Sequence, residues 1–298
     1  MKSISIIFLV IGFISCNSDP IDSNTEEWMP LFNGKDLTDW KIKMARREVG
    51  VNYKNTFRVE DDMIRIVYED YDVFENDYGH MYYKTPFSHY KLRFEYRFLG
   101  EQTSGGENWN VRNSGIMLHS QSAESNAFEQ HFPVSIELQL LGGLGTVDRT
   151  TGNLCTPGTA VVFQNELDFT HCISASSKTY HGDQWVKAEA IVLGSESIIH
   201  IIENDTVLSY SQPQIDQNFI SKDYQGSDWD MMGVTNYEYW KSKAGTLIDQ
   251  GYIALQAESH SIDFKNIELL NLCGCMDKTA KNFKSYYIKA DNSSCVYN

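Results

Sequence analysis

Short runs of β-forming residues recur along most of this chain, and Gly, Asn, Asp and Ser residues separate them. The predicted strands are 56–59, 63–67, 90–98, 114–118, 134–141, 185–193, 197–202, 206–210, 251–258 and 261–269. Many short strands without a long amphipathic helix are typical of a sandwich or a jelly roll. The sequence therefore predicts an all-β fold.

Length and composition set bounds on the size of the fold and on its partners. With 298 residues, 42% of them hydrophobic, the chain can bury a large core, and one main domain is expected. The net charge of -15 repels a polyanion, which argues against a nucleic-acid partner. Aromatic residues make up 13% of the chain. They are typical of a β-rich core, and some of the rings could stack on sugar faces.

The first residues resemble a bacterial lipoprotein signal peptide. Lys2 supplies a positive charge, the apolar run 4–14 is short for a membrane span, and Ser15 precedes Cys16. We expect residues 1–15 to be removed and Cys16 to be lipidated, so that only a lipid anchors the exported protein to the outer membrane, facing the periplasm or the cell surface. An ordinary signal peptide is the alternative. The polar residues 16–27 are predicted to form a flexible tether.

Export affects how the cysteines are interpreted, because disulfides persist outside the cytoplasm. Cys155 and Cys172 lie in one segment and could close a loop there, while Cys275 and Cys295 could link the tail. Cys273 is then the simplest candidate for a free thiol. The spacing does not fix the connectivity, and it does not favour a zinc site strongly.

Three predicted strands carry a polar face opposite an apolar one, because side chains two residues apart share a face of a strand. The polar positions are Asn113 and His119 in the first strand, Glu137 and Gln139 in the second, and Gln256, Glu258 and His260 in the third. A polar face of an antiparallel sheet is usually only solvated. These strands, however, lack Lys and concentrate amides, imidazoles and carboxylates. That composition favours a cleft for a polar ligand such as a sugar.

Four segments appear in order along the chain: LFNGKDLTDW (31–40), NSGIMLHS (113–120), SIELQLL (135–141) and GYIALQAESHSIDFKNIELL (251–270). Together they resemble the 3-keto-disaccharide hydrolase domain family, and TGNLCTPGT (151–159) is similar to one branch of it. The resemblance covers about residues 28–272. It implies a concanavalin-like jelly-roll sandwich of two curved antiparallel sheets with a ligand site on the concave face. Residues 273–298 are left as a small Cys-containing C-terminal module.

The family resemblance implies a substrate already oxidised to a ketone at sugar carbon 3. The ketone acidifies the hydrogen on carbon 2, so a base can remove it, an enolate forms, and the aglycone leaves carbon 1 before water adds. We assign Glu137 as the base and His119 and His260 as candidate proton donors. The predicted substrate-binding residues are Asn113, Gln139, Gln256, Glu258 and Trp109.

Two other functions stay open at this point. A conventional glycosidase would use Glu137 and Glu258 as its two carboxylates, and a non-catalytic carbohydrate-binding lipoprotein would use the same face without turnover. A divalent cation such as Ca²⁺ also stays open as a cofactor, because these carboxylates and the two imidazoles could ligate it. Asp277 and Asp291 could bind calcium in the tail, although a disulfide-linked spacer is the favoured interpretation.

The segment 223–247 is rich in aromatic residues but has no strand period. Its rings are Tyr224, Trp229, Tyr237, Tyr239 and Trp240. We expect this segment to cover an edge of the sandwich. The alternative is a lid whose rings stack on a glycan.

Overall fold

The structure is a computed structural model that describes residues 24–218, 229 and 232–297. The predicted signal peptide, Cys16, most of the tether and Tyr224 lie outside the described residues. The regular secondary structure of the described residues is almost entirely β-strand, which confirms the all-β prediction. No helix in the described ranges is long and apolar enough to cross a membrane.

The described residues form short strands joined by turns. The strands are β1 (Met29–Pro30), β2 (Trp40–Met44), β3 (Phe57–Glu60), β4 (Met63–Ile66), β5 (Gly79–Tyr83), β6 (His89–Phe98), β7 (Asn113–Ser120), β8 (Ile136–Leu141), β9 (Asn153–Cys155), β10 (Thr159–Phe163), β11 (Glu166–Asp168), β12 (Cys172–Ile173), β13 (Val186–Leu193), β14 (Ser197–Ile202), β15 (Asp205–Ile215), β16 (Tyr252–Ala257), β17 (Ile262–Asn271), β18 (Cys273–Gly274) and β19 (Lys289–Ala290). The helical segments are α1 (Tyr237–Lys241) and the 3-10 turns Tyr53–Asn55, Asn108–Asn110, Ala123–Ser125 and Asn292–Ser294.

Most of these strands assemble into two large antiparallel sheets. One follows the order β11-β10-β15-β14-β13-β6-β17-β4-β3, with β1 paired to β17. The other, called the seven-stranded sheet below, follows the order β12-β9-β8-β7-β16-β5-β2. Neighbours such as β7 and β16 are far apart in sequence, so each sheet is held together by pairing between distant parts of the chain. This arrangement is the predicted jelly-roll sandwich.

The core lies between the two sheets and decides which way the polar residues point. In β8, Ile136, Leu138 and Leu140 are fully buried in it. Alternate residues of β6 enter the same core from the opposite sheet. Because successive side chains of a strand point to opposite faces, Glu137 and Gln139 project away from the core.

The sequence predicted the long strands more closely than the short ones. Strand β8 was expected at 134–141, and β13 at 185–193, each within two residues of its observed bounds. Strand β5 was not predicted, since all five of its residues are buried and its sequence therefore shows no alternation. Strands β9, β11 and β12 were also missed, because each has only two or three residues.

Two disulfide bonds confirm the pairs that the sequence suggested. Cys155 and Cys172 are bonded where β9 and β12 place them directly opposite each other. Cys275 and Cys295 are bonded in the tail, and Cys273 is free and half-buried. The first disulfide fastens the short edge strand β12 to the seven-stranded sheet.

The tail after β17 packs back onto the start of the domain. Its strands β18 and β19 pair in parallel, and Lys284 forms an ion pair with Glu27. The carboxylate of Asp277 accepts hydrogen bonds from the backbone and hydroxyl of Thr279 and from Tyr297. These contacts describe a turn stabilised by side chains, and calcium binding in the tail stays a prediction.

Candidate active site

The polar residues of β7, β8 and β16 meet on the face of the seven-stranded sheet that is turned away from the core. In the register of β7 and β8, Gln139 lies opposite Gly115. Strand β16 flanks β7 on its other side and brings Gln256 to the same face. The predicted grouping of Glu137, Gln139 and Gln256 on one face is therefore confirmed.

A cavity of about 420 Å³ opens above this face and is called the first cavity below. Its polar lining residues are Asn113, Glu137, Gln139, Arg149, His171 and Glu258. Its apolar lining residues are Trp109, Phe132, Leu141, Pro157 and Met232, together with the Cys155–Cys172 disulfide. A largely apolar cavity with a few convergent polar groups is typical of a small-molecule site.

Gly115 leaves room for the side chain of Glu137. A Cβ atom built on Gly115 would lie only 2.7 Å from the Cγ atom of Glu137 and 2.9 Å from its Cδ atom. The side chain of Glu137 therefore lies over β7, in the direction of β16. Glu258 follows the last residue of β16 and enters the same cavity.

Glu137 and Glu258 form a buried carboxyl pair. Both side chains are almost fully buried. Burial raises the pKa of Glu137 to about 8. Burial also raises the pKa of Glu258 well above its usual range, and the nearby charge of Glu137 raises it further. The pair therefore holds at least one proton at neutral pH, and it offers an acid and a base together once one of the two carboxyl groups ionises.

Arg149 supplies a positive charge to the first cavity. Its Nη1 atom donates hydrogen bonds to the carbonyls of Val111 at 2.6 Å and Gly142 at 2.9 Å, and to that of Arg112 at 3.2 Å. These bonds fix the guanidinium group beside the start of β7 and the end of β8. Its charge lowers the pKa of Glu258, opposing part of the effect of burial.

Two buried oxygen atoms at the carboxyl pair lack a hydrogen-bond partner among the described residues. The Nδ2 atom of Asn113 donates to the carbonyl of Trp109 at 3.1 Å, whereas its Oδ1 atom is buried without a hydrogen-bond partner among the described residues. The same holds for Oε2 of Glu258. Buried acceptors without partners are rare in folded proteins. They fit a ligand that carries hydroxyl groups, such as a sugar, because a hydroxyl can both donate and accept a hydrogen bond.

Trp109 forms part of the rim of the first cavity. Its ring stacks on Tyr78 with centroids 6.1 Å apart and planes 9° from parallel, and 47% of its surface is exposed. The hydroxyl of Tyr78 accepts a hydrogen bond from Nδ2 of Asn110 at 3.0 Å. A fixed, half-exposed indole at a cavity mouth is suited to packing against the apolar face of a sugar.

The predicted position of His119 is wrong. The register of β7 and β16 shifts beside this residue, which has a φ of 48°, so a bulge interrupts the alternation. The ring lies against Tyr90 of β6, and its Nε2 atom lies 3.1 Å from the carbonyl oxygen of Gly194. His119 therefore does not line the first cavity.

His260 and Gln256 also lie outside the lining of the first cavity. Strand β16 ends at Ala257, and Ser259 has a φ of 72°, so the alternation that groups Glu258 with His260 does not continue. The ring of His260 packs edge-on against Phe98, and burial lowers its pKa to about 4. It is thus neutral at pH 7. Gln256 stays on the sheet face, opposite His80 of β5.

The lining residues that sequence reasoning missed include Phe132, Arg149, His171 and Met232. They lie between strands, where the chain has no period that could indicate the direction of a side chain. TGNLCTPGT was noticed only as a family segment, although it begins two residues after Arg149. Trp229, Met232 and Trp240 pack into one apolar cluster with Val134. These described parts of 223–247 thus support the interpretation of a cover.

No group of three or more His, Cys, Asp or Glu residues in the described ranges is placed to hold a metal ion. The first cavity brings together two carboxylates and His171, but its fixed cation is the guanidinium of Arg149.

A comparison with protein-family models identifies the chain. The model of the 3-keto-alpha-glucoside-1,2-lyase-like domain matches residues 27–270. The chain belongs to this family. Membership in the 3-keto-alpha-glucoside-1,2-lyase-like family confirms the resemblance seen in the sequence and places the first cavity in a carbohydrate-active domain. No curated protein matches the chain.

Solved structures similar to this 3-keto-alpha-glucoside-1,2-lyase-like domain are distant in sequence. A candidate glycosyl hydrolase from Parabacteroides distasonis ATCC 8503 is 16% identical, with a TM-score of 0.47, and the match covers 82% of this chain and 99% of that chain. A second candidate glycosyl hydrolase from this organism is 18% identical, with a TM-score of 0.46, covering 82% and 93%. The carbohydrate-binding module CBM66 from Bacillus subtilis is 8% identical, with a TM-score of 0.42, covering 78% and 96%.

Proposed function

We propose that this protein cleaves 3-keto-glycosides by elimination at the first cavity. The observation that carries the proposal is the buried carboxyl pair of Glu137 and Glu258 beside the guanidinium of Arg149. The family to which the chain belongs supports the substrate class. A pair that holds one proton can remove a proton from carbon and deliver another to a leaving group.

In the proposed reaction Glu137 is the base. Its carboxylate takes the proton from carbon 2, and the electron pair of that C–H bond forms the enolate of the ketone at carbon 3. When the ketone re-forms, the C–O bond at carbon 1 breaks and the aglycone leaves. Glu258 protonates the departing oxygen, because burial and the nearby charge of ionised Glu137 both raise its pKa and so favour its protonated form. Water then adds across the double bond between carbons 1 and 2.

The remaining lining residues suit the charges and hydroxyls of such a substrate. Arg149 can stabilise the enolate oxygen, since a fixed cation in a largely apolar cavity acts strongly on developing negative charge. The Oε1 atom of Gln139 already accepts from Asn153 at 3.0 Å, so Gln139 offers its amide hydrogens to the ligand. Asn113 offers the acceptor Oδ1. His119 and His260 have no part in this mechanism.

The test compares one glycoside with its 3-keto form. We expect the wild-type protein to release the aglycone from the 3-keto-glycoside and not from the unoxidised glycoside. Deuterium at carbon 2 should slow the release severalfold, because that C–H bond breaks in the elimination. Comparable rates of aglycone release from the two glycosides would contradict the elimination mechanism.

Glu137→Gln tests the assignment of the base. The amide keeps the shape of the side chain but cannot take up the proton, so kcat should fall about a thousandfold or more. Glu166→Gln is the matched control, because Glu166 is exposed on β11, outside the first cavity. An unchanged kcat in Glu137→Gln would remove Glu137 from the mechanism.

A conventional glycosidase is the second candidate, and the same carboxyl pair favours it. Two carboxyl groups with raised pKa values could act as acid and as base or nucleophile on an ordinary glycosidic bond. This mechanism needs no ketone and no bond cleavage at carbon 2. Cleavage of the unoxidised glycoside without an isotope effect at carbon 2 supports this second candidate over the first.

We also propose that the protein is an exported lipoprotein anchored through Cys16. The sequence before Cys16 and the two disulfides support this, since disulfides persist outside the cytoplasm. Cys16→Ser should release the protein from the membrane fraction of cells. If the Cys16→Ser variant stays with the membranes, the anchor lies elsewhere.

A further inference from the structure

A second cavity, of about 440 Å³, lies at the other end of strand β7. Its lining includes His119, Ser120 and Tyr252. Asn113, at the first cavity, and Ser120 are seven residues apart on this strand, which corresponds to roughly 23 Å at about 3.3 Å per residue. The two cavities are therefore separate, although one strand contributes to both.

The strand is bulged where it reaches the second cavity. His119 adopts a φ of 48°, which is uncommon for a residue with a side chain. The backbone of the bulge approaches Gly251 so closely that a Cβ atom there would clash with the carbonyl carbon of His119. Bulges beside binding sites serve to redirect a side chain. Here the bulge leaves the consecutive residues His119 and Ser120 both in the lining of the second cavity, with Ser120 paired opposite Tyr252.

His119 presents a hydrogen-bond acceptor. Its ring is neutral at pH 7, because burial lowers its pKa to about 4. Its Nε2 atom contacts the carbonyl oxygen of Gly194, which can only accept, so Nε2 carries the single proton and Nδ1 is left as an acceptor. This Nδ1 atom and the hydroxyl of Ser120 have no hydrogen-bond partner among the described residues, and both side chains are only 2% exposed.

The walls of the second cavity are aromatic and hydroxylated rather than strongly charged. Tyr239 is half-exposed, and its ring packs edge-on against Trp240 with centroids 5.0 Å apart. Tyr252 of β16 and three serine residues also line this cavity. The charged residues in the lining of the second cavity are Lys243 and Asp249, and their charges are opposite. A ligand that matches this lining is uncharged, carries hydroxyl groups and has apolar faces for the rings.

We propose that the second cavity is a non-catalytic saccharide-binding site, in which a sugar hydroxyl donates to Nδ1 of His119 and another pairs with the hydroxyl of Ser120. The rings of Tyr239 and Tyr252 pack against the sugar. This proposal does not depend on the reaction at the first cavity.

The test uses the full chain with four neutral trisaccharides, namely maltotriose, cellotriose, laminaritriose and chitotriose. Binding is measured by calorimetry, and crystals soaked in each sugar show which cavity is occupied. We expect at least one of the four in the second cavity. Ser120→Ala and Tyr239→Ala should each weaken that binding at least fivefold, whereas Tyr237→Ala, a neighbouring tyrosine of α1 outside the lining, should not.

His119 itself is a poor first choice for substitution, because it lies in a strained bulge and its loss could unfold the strand. Two results overturn the proposal. One is that none of the four trisaccharides occupies the second cavity. The other is that Ser120→Ala and Tyr239→Ala both bind as the wild type does. Turnover of a 3-keto-glycoside reports on the first cavity alone, so failure of one proposal is distinguishable from failure of the other.

Discussion

The carboxyl group of Glu137 occupies the volume that a side chain at Gly115 would need. Its Oε1 atom lies 2.4 Å from the place of a Cβ atom on that glycine. The two residues belong to neighbouring strands whose register is fixed by the core. The direction in which Glu137 points therefore depends on the residue at position 115.

We predict that Gly115→Ala folds but loses activity. Its backbone is outside the left-handed region, so alanine is tolerated there, but the new methyl group displaces the carboxyl of Glu137. A displacement of about 1 Å can cost on the order of a hundredfold in rate. The measurement is kcat/KM on a 3-keto-glycoside.

Gly79→Ala is the control for that variant. A Cβ atom there would also be crowded, at 2.8 Å from Cγ of Met44, but this contact is with the flexible side chain of a core residue. We expect Gly79→Ala to lower thermal stability and to keep kcat. If both alanine variants lose activity equally, crowding alone explains the effect and Gly115 has no particular role.

The raised pKa of Glu137 predicts how stability changes with pH. Because the folded-state pKa of about 8 lies above the ordinary value of 4.5, the contribution of this group to stability is complete below pH 4.5 and is lost as the pH rises toward 8. Each pKa unit corresponds to about 1.4 kcal/mol, so the full loss is on the order of 5 kcal/mol. Glu137→Gln should therefore gain stability over the wild type between pH 5 and 8 in urea unfolding. A difference that stays constant with pH contradicts the raised pKa.

The charge of Arg149 predicts a shift in the pH profile of activity. Activity should rise as Glu137 ionises and fall when Glu258 loses its proton. Arg149 lowers the pKa of Glu258, so Arg149→Met should move the alkaline limb of kcat/KM to higher pH and reduce the maximum rate. Arg149→Lys keeps the charge and should restore the position of that limb. An alkaline limb at the same pH in all three proteins argues against Glu258 as the acid.

Removing each of the two disulfides should have a different effect on activity. They close loops of similar length, with separations of 17 and 20 residues, so each should contribute about 3 kcal/mol to stability. Only Cys155–Cys172 lines the first cavity. The double Ser variant of this pair should lose both stability and activity, whereas that of Cys275–Cys295 should lose stability alone. Thermal unfolding and kcat/KM measured on both variants check this.

The sequence was informative wherever a strand keeps its alternation. Glu137 and Gln139 were placed on the correct face because Ile136, Leu138 and Leu140 must enter the core. The family segments then predicted the two-sheet fold as a whole. Local periodicity and long-range pairing agree in these strands, so local patterns are reliable there.

The prediction failed where the backbone departs from the regular strand. His119 was assigned to the wrong place because a bulge with a positive φ adds one residue to β7, and only contacts distant in sequence, such as that with Gly251, require it. Arg149 was missed because a loop carries no period. Its position depends on carbonyls of another loop, at Val111 and Arg112.

The bulge in β7 also separates the two ends of this strand, so that sequence changes at one end need not alter the orientation of side chains at the other. In an uninterrupted strand, inserting one residue turns every later side chain to the other face. A bulge absorbs such a change locally, so residues at the Ser120 end can be replaced or shifted while Asn113 and Gly115 keep their orientation beneath the carboxyl pair. Substitutions at the Ser120 end of β7 are accordingly expected to alter the second cavity while the first stays intact.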